Sequence, residues 1–443
     1  MTTSPSFSPT PFSRRLLLGG AAGTAALGTL SACSKKTSSG SEGQAGSGDT
    51  TPIKMWDMPY GNNKYAGVGK DIAAAYAPGA GLAKATYQSI PWDGWLQTYS
   101  AAIASRTEPS LSTGGTYQVI PFYDQGAIAP ADNVIKTLKD SGVADDYADG
   151  VLEMFTYQDH VVSVPWMVDV RLFYYRKSLL RKAGVEPPAT WDDLLTVGRA
   201  LKKIGVIGFG IAGTNSFGPQ VLQSMLVNNG GGFFNDKGEP DCLNDRNLES
   251  VEFLLQLSRE GIMDPDAVGQ NGDYLNTSIS NGKIGAVIHI PFLESLLTPE
   301  AGKDIGLTSP LKAPHGDQGT VSYFNNIMMY QRTTSLASTE AFLVHYLTAI
   351  KKFWQAKVIT GLPLRKSFAK LPEFASNANA VKAYDEWIPV SKWMGAQASK
   401  PFPEMNSVDG GQALTTWCQE IIIGKKSAQD IQQTLQDGIE QLF

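Results

Sequence analysis

Four histidines and three cysteines are the whole supply of imidazole and thiol in this 443-residue chain. His160, His289, His315 and His345 lie far apart, and none has a partner at metal-ligand spacing. H-E-x-x-H, G-x-S-x-G and Walker A sequences do not occur. Gly208-Phe209-Gly210-Ile211-Ala212-Gly213 fits the G-x-G-x-x-G pattern. The run that follows, Thr214-Asn215-Ser216-Phe217-Gly218-Pro219, is rich in turn formers where a dinucleotide site needs a helix, so a glycine-rich strand end is the better reading. Acidic residues are common enough for a glycosidase pair to assemble in space, but no spacing nominates one. The sequence therefore points to no catalytic residue, no metal ligand and no cofactor. Its generous resource is aromatic: nine Trp and sixteen Tyr supply flat apolar faces with polar tips, which suit a binding cleft.

Composition narrows the partners. The formal charge is −5, and a general nucleic-acid or anionic-membrane binder is normally basic. A hydrophobic share of 42% excludes wholesale disorder, and 443 residues suggest two domains. Three cysteines are too few for a disulfide scaffold. Cys242 and Cys418 could still pair in an oxidising compartment, and the sequence leaves that open.

The elements that must position any site alternate. Ile53–Trp56 and Ala83–Gln88 read as strands; Val68–Tyr76 and Trp95–Ile103 read as helices, which argues α/β. Thr190-Trp191-Asp192-Asp193 is a capping box variant, and its helix closes at Gly205. Further helices are expected over Leu248–Leu257, ended by Gly261, and from Ser338 or Thr339. Ser427 should cap a last one whose stripe is Ile431, Leu435, Ile439 and Leu442.

Before this body stands an address. Arg14-Arg15 precedes 17 uncharged residues from Leu16 to Ala32, fewer than the ~20 of a membrane span. Paired arginines before a short apolar run look like a twin-arginine (Tat) export signal. Leu30-Ser31-Ala32-Cys33 resembles a bacterial lipobox, whose cysteine would carry the lipid (palmitate) anchor. Of residues 34–51, 12 of 18 are Ser, Gly or Thr, a composition that makes a flexible tether. The expected order is a signal over 1–32, a lipid-anchored tether over 33–52, then a globular body outside the cell membrane.

The most informative stretch is Val164-Pro165-Trp166-Met167-Val168-Asp169-Val170-Arg171-Leu172-Phe173-Tyr174-Tyr175-Arg176-Lys177. Lys182-Ala183-Gly184 and Pro187-Pro188-Ala189-Thr190-Trp191-Asp192-Asp193-Leu194 follow it. Together they resemble the signature of the maltose-binding-protein-like (family 1) extracellular solute-binding proteins of bacterial carbohydrate ABC importers. Six further fragments agree in order: Trp56–Tyr60, Gln88–Trp92, Thr113–Gln118, Asn228–Gly232, Asn281–Ala286 and Gly361–Arg365. Arg106–Leu111 departs from the family pattern, which touches the local loop and not the fold.

The resemblance implies a two-lobed periplasmic-binding-protein fold (type II) with a multi-strand hinge. Lobe one would be 53–163 plus 326–363, and lobe two 164–325 plus 364–443. It implies a monomeric receptor for a sugar, a di- or oligosaccharide, handed to the importer's permease subunits. Ring platforms for the sugar would be Tyr60, Trp92, Trp166 and Phe292. Polar contacts would be Asp57, Asn62, Gln88, Gln118, Asp169, Asn229, Asn325 and Arg365, with Gly114 and Gly230 admitting backbone amides. Trp166, stiffened by Pro165, is expected to be the strongest contact. A secreted carbohydrate-active enzyme and a receptor for a non-sugar solute are the alternatives.

Overall fold

Lys54 and Trp56 alternate with the apolar Ile53 and Met55, and the strand they form turns the second pair into the core (β1, Ile53–Asp57). That strand opens a computed structural model that describes residues 50–443 except 93, 149, 215–216, 399–400 and 410. The export signal, Cys33 and the tether up to residue 49 lie outside the described residues.

Strand β1 pairs in parallel with β2 (Ala85–Ser89) on one side and β3 (Leu111–Gly114) on the other. Helices Tyr65–Ala74 and Trp95–Ser105 connect them. After β4 (Ile128–Ala129) and a small hairpin, β5 (Thr156–Tyr157) with β6 (His160–Val161), comes β7 (Val164–Val170). One residue, Arg171, separates β7 from β8 (Leu172–Arg176). β8 lies in a second sheet between β9 (Ala286–His289) and β10 (Ile305–Leu307), all antiparallel. The chain returns through β11 (Thr320–Tyr330), β12 (Leu362–Pro363) and β13 (Ser391–Trp393). The larger sheet has eight strands, with the path β12-β7-β11-β3-β1-β2 and with β4 and β13 on β11. So β7 pairs within the large sheet, and the passage to the small one happens at Arg171.

The signals for helix ends read well. Thr190 Oγ1 accepts the Asp193 N–H at 3.1 Å, and Asp193 accepts the Thr190 N–H at 3.0 Å. The helix starts at Trp191 and ends at Lys203, before Gly205 at φ 77°. Two expectations shift. The helix placed from Ser338 begins at Leu336, because Ser335 is the side chain that accepts the Ser338 N–H. The last helix, Ala428–Glu440, stops before Leu442, which is exposed. The glycines from 208 to 213 serve packing. A Cβ on Gly208 would stand 2.6 Å from Gly198 Cα, and one on Gly213 2.7 Å from the Val268 carbonyl. Cys242 and Cys418 are both free and buried. No helix among the described residues is long and apolar enough to cross a membrane.

The ladder between β7 and β11 has one irregularity. Asn325 pairs with Met167 and Asn326 with Pro165, so β7 spends one residue more than β11 there, and Trp166 is the extra one. Pro165 has no N–H for the ladder, which is where such bulges form. The Trp166 ring is buried at 2% exposure, among Tyr60, Phe353 and Trp354 at 5.5, 6.2 and 6.2 Å.

Candidate ligand-binding cleft

The parallel strands β1, β2 and β3 end side by side, and in open α/β sheets ligands bind in the crevice outside such carboxyl ends. Each end supplies part of one cleft of about 430 Å³. Pro59, Tyr60 and Gly61 follow β1, Trp92 and Trp95 follow β2, and Gly115–Gln118 follow β3. Strand periodicity builds the floor. Asp169 on β7 and Arg171 just beyond it fall on one face, opposite Tyr323 and Asn325 of β11, and Tyr323 is the direct cross-strand partner of Asp169. The far wall carries Phe217 and Gln220 from helix Phe217–Asn228, Ile290 and Leu296 after β9, and Asn406 and Asp409.

The loop after β1 is held at several points. Asp57 is fully buried and accepts O–H bonds from Thr113 (2.9 Å), Tyr87 (2.8 Å) and Tyr346 (3.3 Å). Thr113 in turn accepts the Met58 N–H at 2.9 Å. Trp92 Nε1 donates to the Pro59 carbonyl at 2.8 Å, and the Thr360 N–H to the Tyr60 carbonyl at 2.8 Å. With its polar tip engaged, the Trp92 ring stays 40% exposed and stands edge-on to Tyr60 at 5.0 Å.

Charge in the cleft is mixed. Arg171 is 4% exposed, and its guanidinium lies 5.2 Å from the Phe217 ring and 5.0 Å from the Tyr323 ring. Its Nη1 faces Asp169 Oδ1 at 2.7 Å as an ion pair, though without hydrogen-bond alignment. Its Nη2 donates to Gln220, which donates to Asp409 at 3.2 Å. Burial pushes both Asp169 and Asp409 above the usual carboxylate range, against the pull of Arg171. Burial, then the Arg171 charge, holds His289 down to about 3, so it is neutral at pH 7. Burial also pushes the Tyr60 and Tyr323 hydroxyls up, which keeps them protonated donors.

Several buried polar atoms of this lining make no hydrogen bond within the protein. They are the hydroxyls of Tyr60, Thr116 and Tyr323 and Nε of Arg171. Leaving such a group unpaired costs about 1–3 kcal/mol, so their gathering in one cleft marks a donor and acceptor set that a polar ligand completes.

Of the residues nominated from sequence, Tyr60, Trp92, Gln118, Asp169 and Asn325 line this cleft. The other nine stand elsewhere. Asp57 points into the core beneath the wall. Trp166 is buried against Tyr60, Phe353 and Trp354. Gly114 is buried, packed by Met328 and Asn326. Asn62 closes its own turn by accepting the Lys64 N–H, and Gln88 is exposed on strand β2 at the end of the sheet path. Asn229 donates to Glu249 at 2.7 Å, and Gly230 lies against Asp317 at φ 79°. Arg365 pairs with Asp146 at 2.7 Å and covers the Phe368 ring at 4.5 Å. Phe292, at φ 57°, lines a separate cavity of about 570 Å³ with Trp354 and Phe374. That cavity contains none of the three strand ends. Arg171, Tyr323, Phe217, Gln220, Thr116 and Asp409 were not nominated. For Arg171 the signal was present: it stands two residues after Asp169, the strand period.

A family model described as bacterial extracellular solute-binding protein matches residues 58–344. A sugar transporter structure from Arthrobacter chlorophenolicus, with bound laminaribiose, is 40% identical, with a TM-score of 0.83 over 89% of this chain and all of that one. The GacH receptor of Streptomyces glaucescens superposes with a TM-score of 0.74 at 18% identity over 88% of this chain and 98% of that one, a likeness of fold alone. A Brucella abortus protein that carries a binding-protein name is 26% identical over 359 residues, 79% of this chain and 84% of that one.

Proposed function

Because the chain belongs to the bacterial extracellular solute-binding proteins, we propose that it captures a sugar in this cleft and delivers it to an ABC importer. The unpaired hydroxyls of Tyr60, Thr116 and Tyr323 and the Arg171 Nε, beside ring faces, carry the reading. A pyranose presents apolar C–H faces and a rim of hydroxyls that both donate and accept, and this lining answers each. Asp169, Asp409 and Arg171 nearly offset one another, which suits an uncharged ligand. About 430 Å³ lies at the small end of the ~300–1,000 Å³ range of small-molecule sites, which favours a disaccharide over a long chain. The likeness to the laminaribiose-bound Arthrobacter protein makes a β-linked glucose disaccharide the first ligand to test.

In this reading the two lobes are 53–163 plus 326–363 and 164–325 plus 364–443, hinged at the strands that run between the sheets. Cys33 carries the lipid that holds a monomer on the outer membrane face after twin-arginine export. No chemistry is performed on the sugar. Calorimetric titration with laminaribiose, cellobiose and maltose tests the whole. Saturable binding of one sugar, recovered intact, is expected. New reducing ends would instead mean a glycosidase, and binding of none would remove the sugar.

A further inference from the structure

Arg171 is the single residue between a strand of the large sheet and a strand of the small one. Its backbone N–H bonds the Val321 carbonyl at 2.9 Å, which ties the crossing to β11. Its guanidinium lies 5.2 Å from the Phe217 ring and 5.0 Å from the Tyr323 ring, Asp169 pairs with Nη1, and Gln220 takes Nη2. The N–H of Nε makes no hydrogen bond within the protein, although the residue is 4% exposed and lines the cleft. A cation buried to that degree normally spends all its donors.

We propose that Arg171 is a specificity-determining residue whose Nε donates to a hydroxyl of the bound sugar. The inference rests on the sugar reading above and adds to it which protein group selects the stereochemistry. The physical grounds are three. First, the planar guanidinium, fixed by its other partners, holds the Nε N–H in one direction, so it selects a hydroxyl at one position, which a freely rotating lysine ammonium cannot do. Second, the two rings and the Gln220 bond hold the group in place before ligand arrives, so little rotamer entropy is left to lose on binding. Third, a site built to hydrogen-bond a hydroxyl rejects an analogue that lacks it, because the buried donor is then left unpaired.

The test uses the mature protein, laminaribiose and its monodeoxy derivatives, with Arg171→Lys and Arg171→Gln compared to wild type by calorimetry. Lysine keeps a positive charge beside Asp169, so at least that variant should fold, as near-ultraviolet circular dichroism will show. For the parent sugar, affinity should fall about 10- to 100-fold in each variant, the range of one charge-assisted hydrogen bond. For the deoxy sugar that lacks the contacted hydroxyl, wild type and variant should bind within about twofold of each other. A merely structural role would weaken parent and all deoxy sugars by the same factor, and that result overturns the proposal alone. Laminaribiose that does not bind wild type removes the premise, and the proposal with it.

Discussion

Asp57 has no exposed atom and three hydroxyl groups donating to it, yet burial still raises its acid to about 6 from 3.8. The folded chain therefore holds this proton more tightly than the unfolded chain does. Its contribution to stability is full below about pH 4 and lost as the pH rises through about 6. At about 1.4 kcal/mol per unit, wild type should lose roughly 3 kcal/mol relative to Asp57→Asn between pH 4 and 7. Urea unfolding of both proteins across that window checks it, and parallel pH profiles would refute it. Trp166 makes a contrasting case. Its ring packs against Tyr60, Phe353 and Trp354, so Trp166→Ala should cost about 3–5 kcal/mol of stability. Sugar affinity of the folded fraction should stay within a few-fold, because the ring does not line the cleft. Trp92→Ala should do the reverse, since that ring is 40% exposed at the cleft.

Among the elements, the helix Trp191–Lys203 has the clearest local support. Thr190 and Asp193 satisfy each other's backbone N–H groups at its start. Thr190→Ala should lower stability by about 1 kcal/mol, measured by denaturant midpoint at unchanged slope. Ligand affinity should not move, because neither residue lines the cleft. The bulge in β7 works in the other direction. It arises from pairing with β11, about 160 residues later in the chain, and makes Trp166 the extra residue, while Asp169 and Arg171 keep to one face by the strand period.

At the scale of the whole molecule, the cleft takes its walls from both sheets, and the chain crosses between them at Arg171 and again between β10 and β11. We expect hinge closure of the kind known for periplasmic binding proteins about these crossings. A ligand that touches both walls only when they approach shifts the population toward the closed form. Small-angle scattering should show a smaller radius of gyration with saturating sugar. At 100 times Kd, ligand should stabilise the protein by about 2.7 kcal/mol. Tight binding at unchanged radius would remove closure from the mechanism.

How much was legible beforehand depends on how local the cause was. Caps at Thr190 and Ser427, the strand of Ile53–Asp57 and the α/β alternation rest on neighbours in sequence, so residue types and spacing determined them. The family signature over residues 164–194 added the two-lobed fold, as a resemblance carried by residue types in order. Which side chains face the ligand was decided elsewhere. Gln118, Asp169 and Asn325 were reachable by residue type and by the resemblance, and the tertiary fold brings them to one cleft. Trp166 and Asp57 were reachable in the same way, since a tryptophan or an aspartate reads the same inside and out. Their burial rests on long-range partners: Phe353 and Trp354 pack on Trp166, and Tyr346 stands 289 residues beyond Asp57. Arg171 shows the same reason from the other side. A strand period places it on the face of Asp169, but only the tertiary fold brings Phe217, Tyr323 and Gln220 around it and leaves its Nε without a partner in the protein.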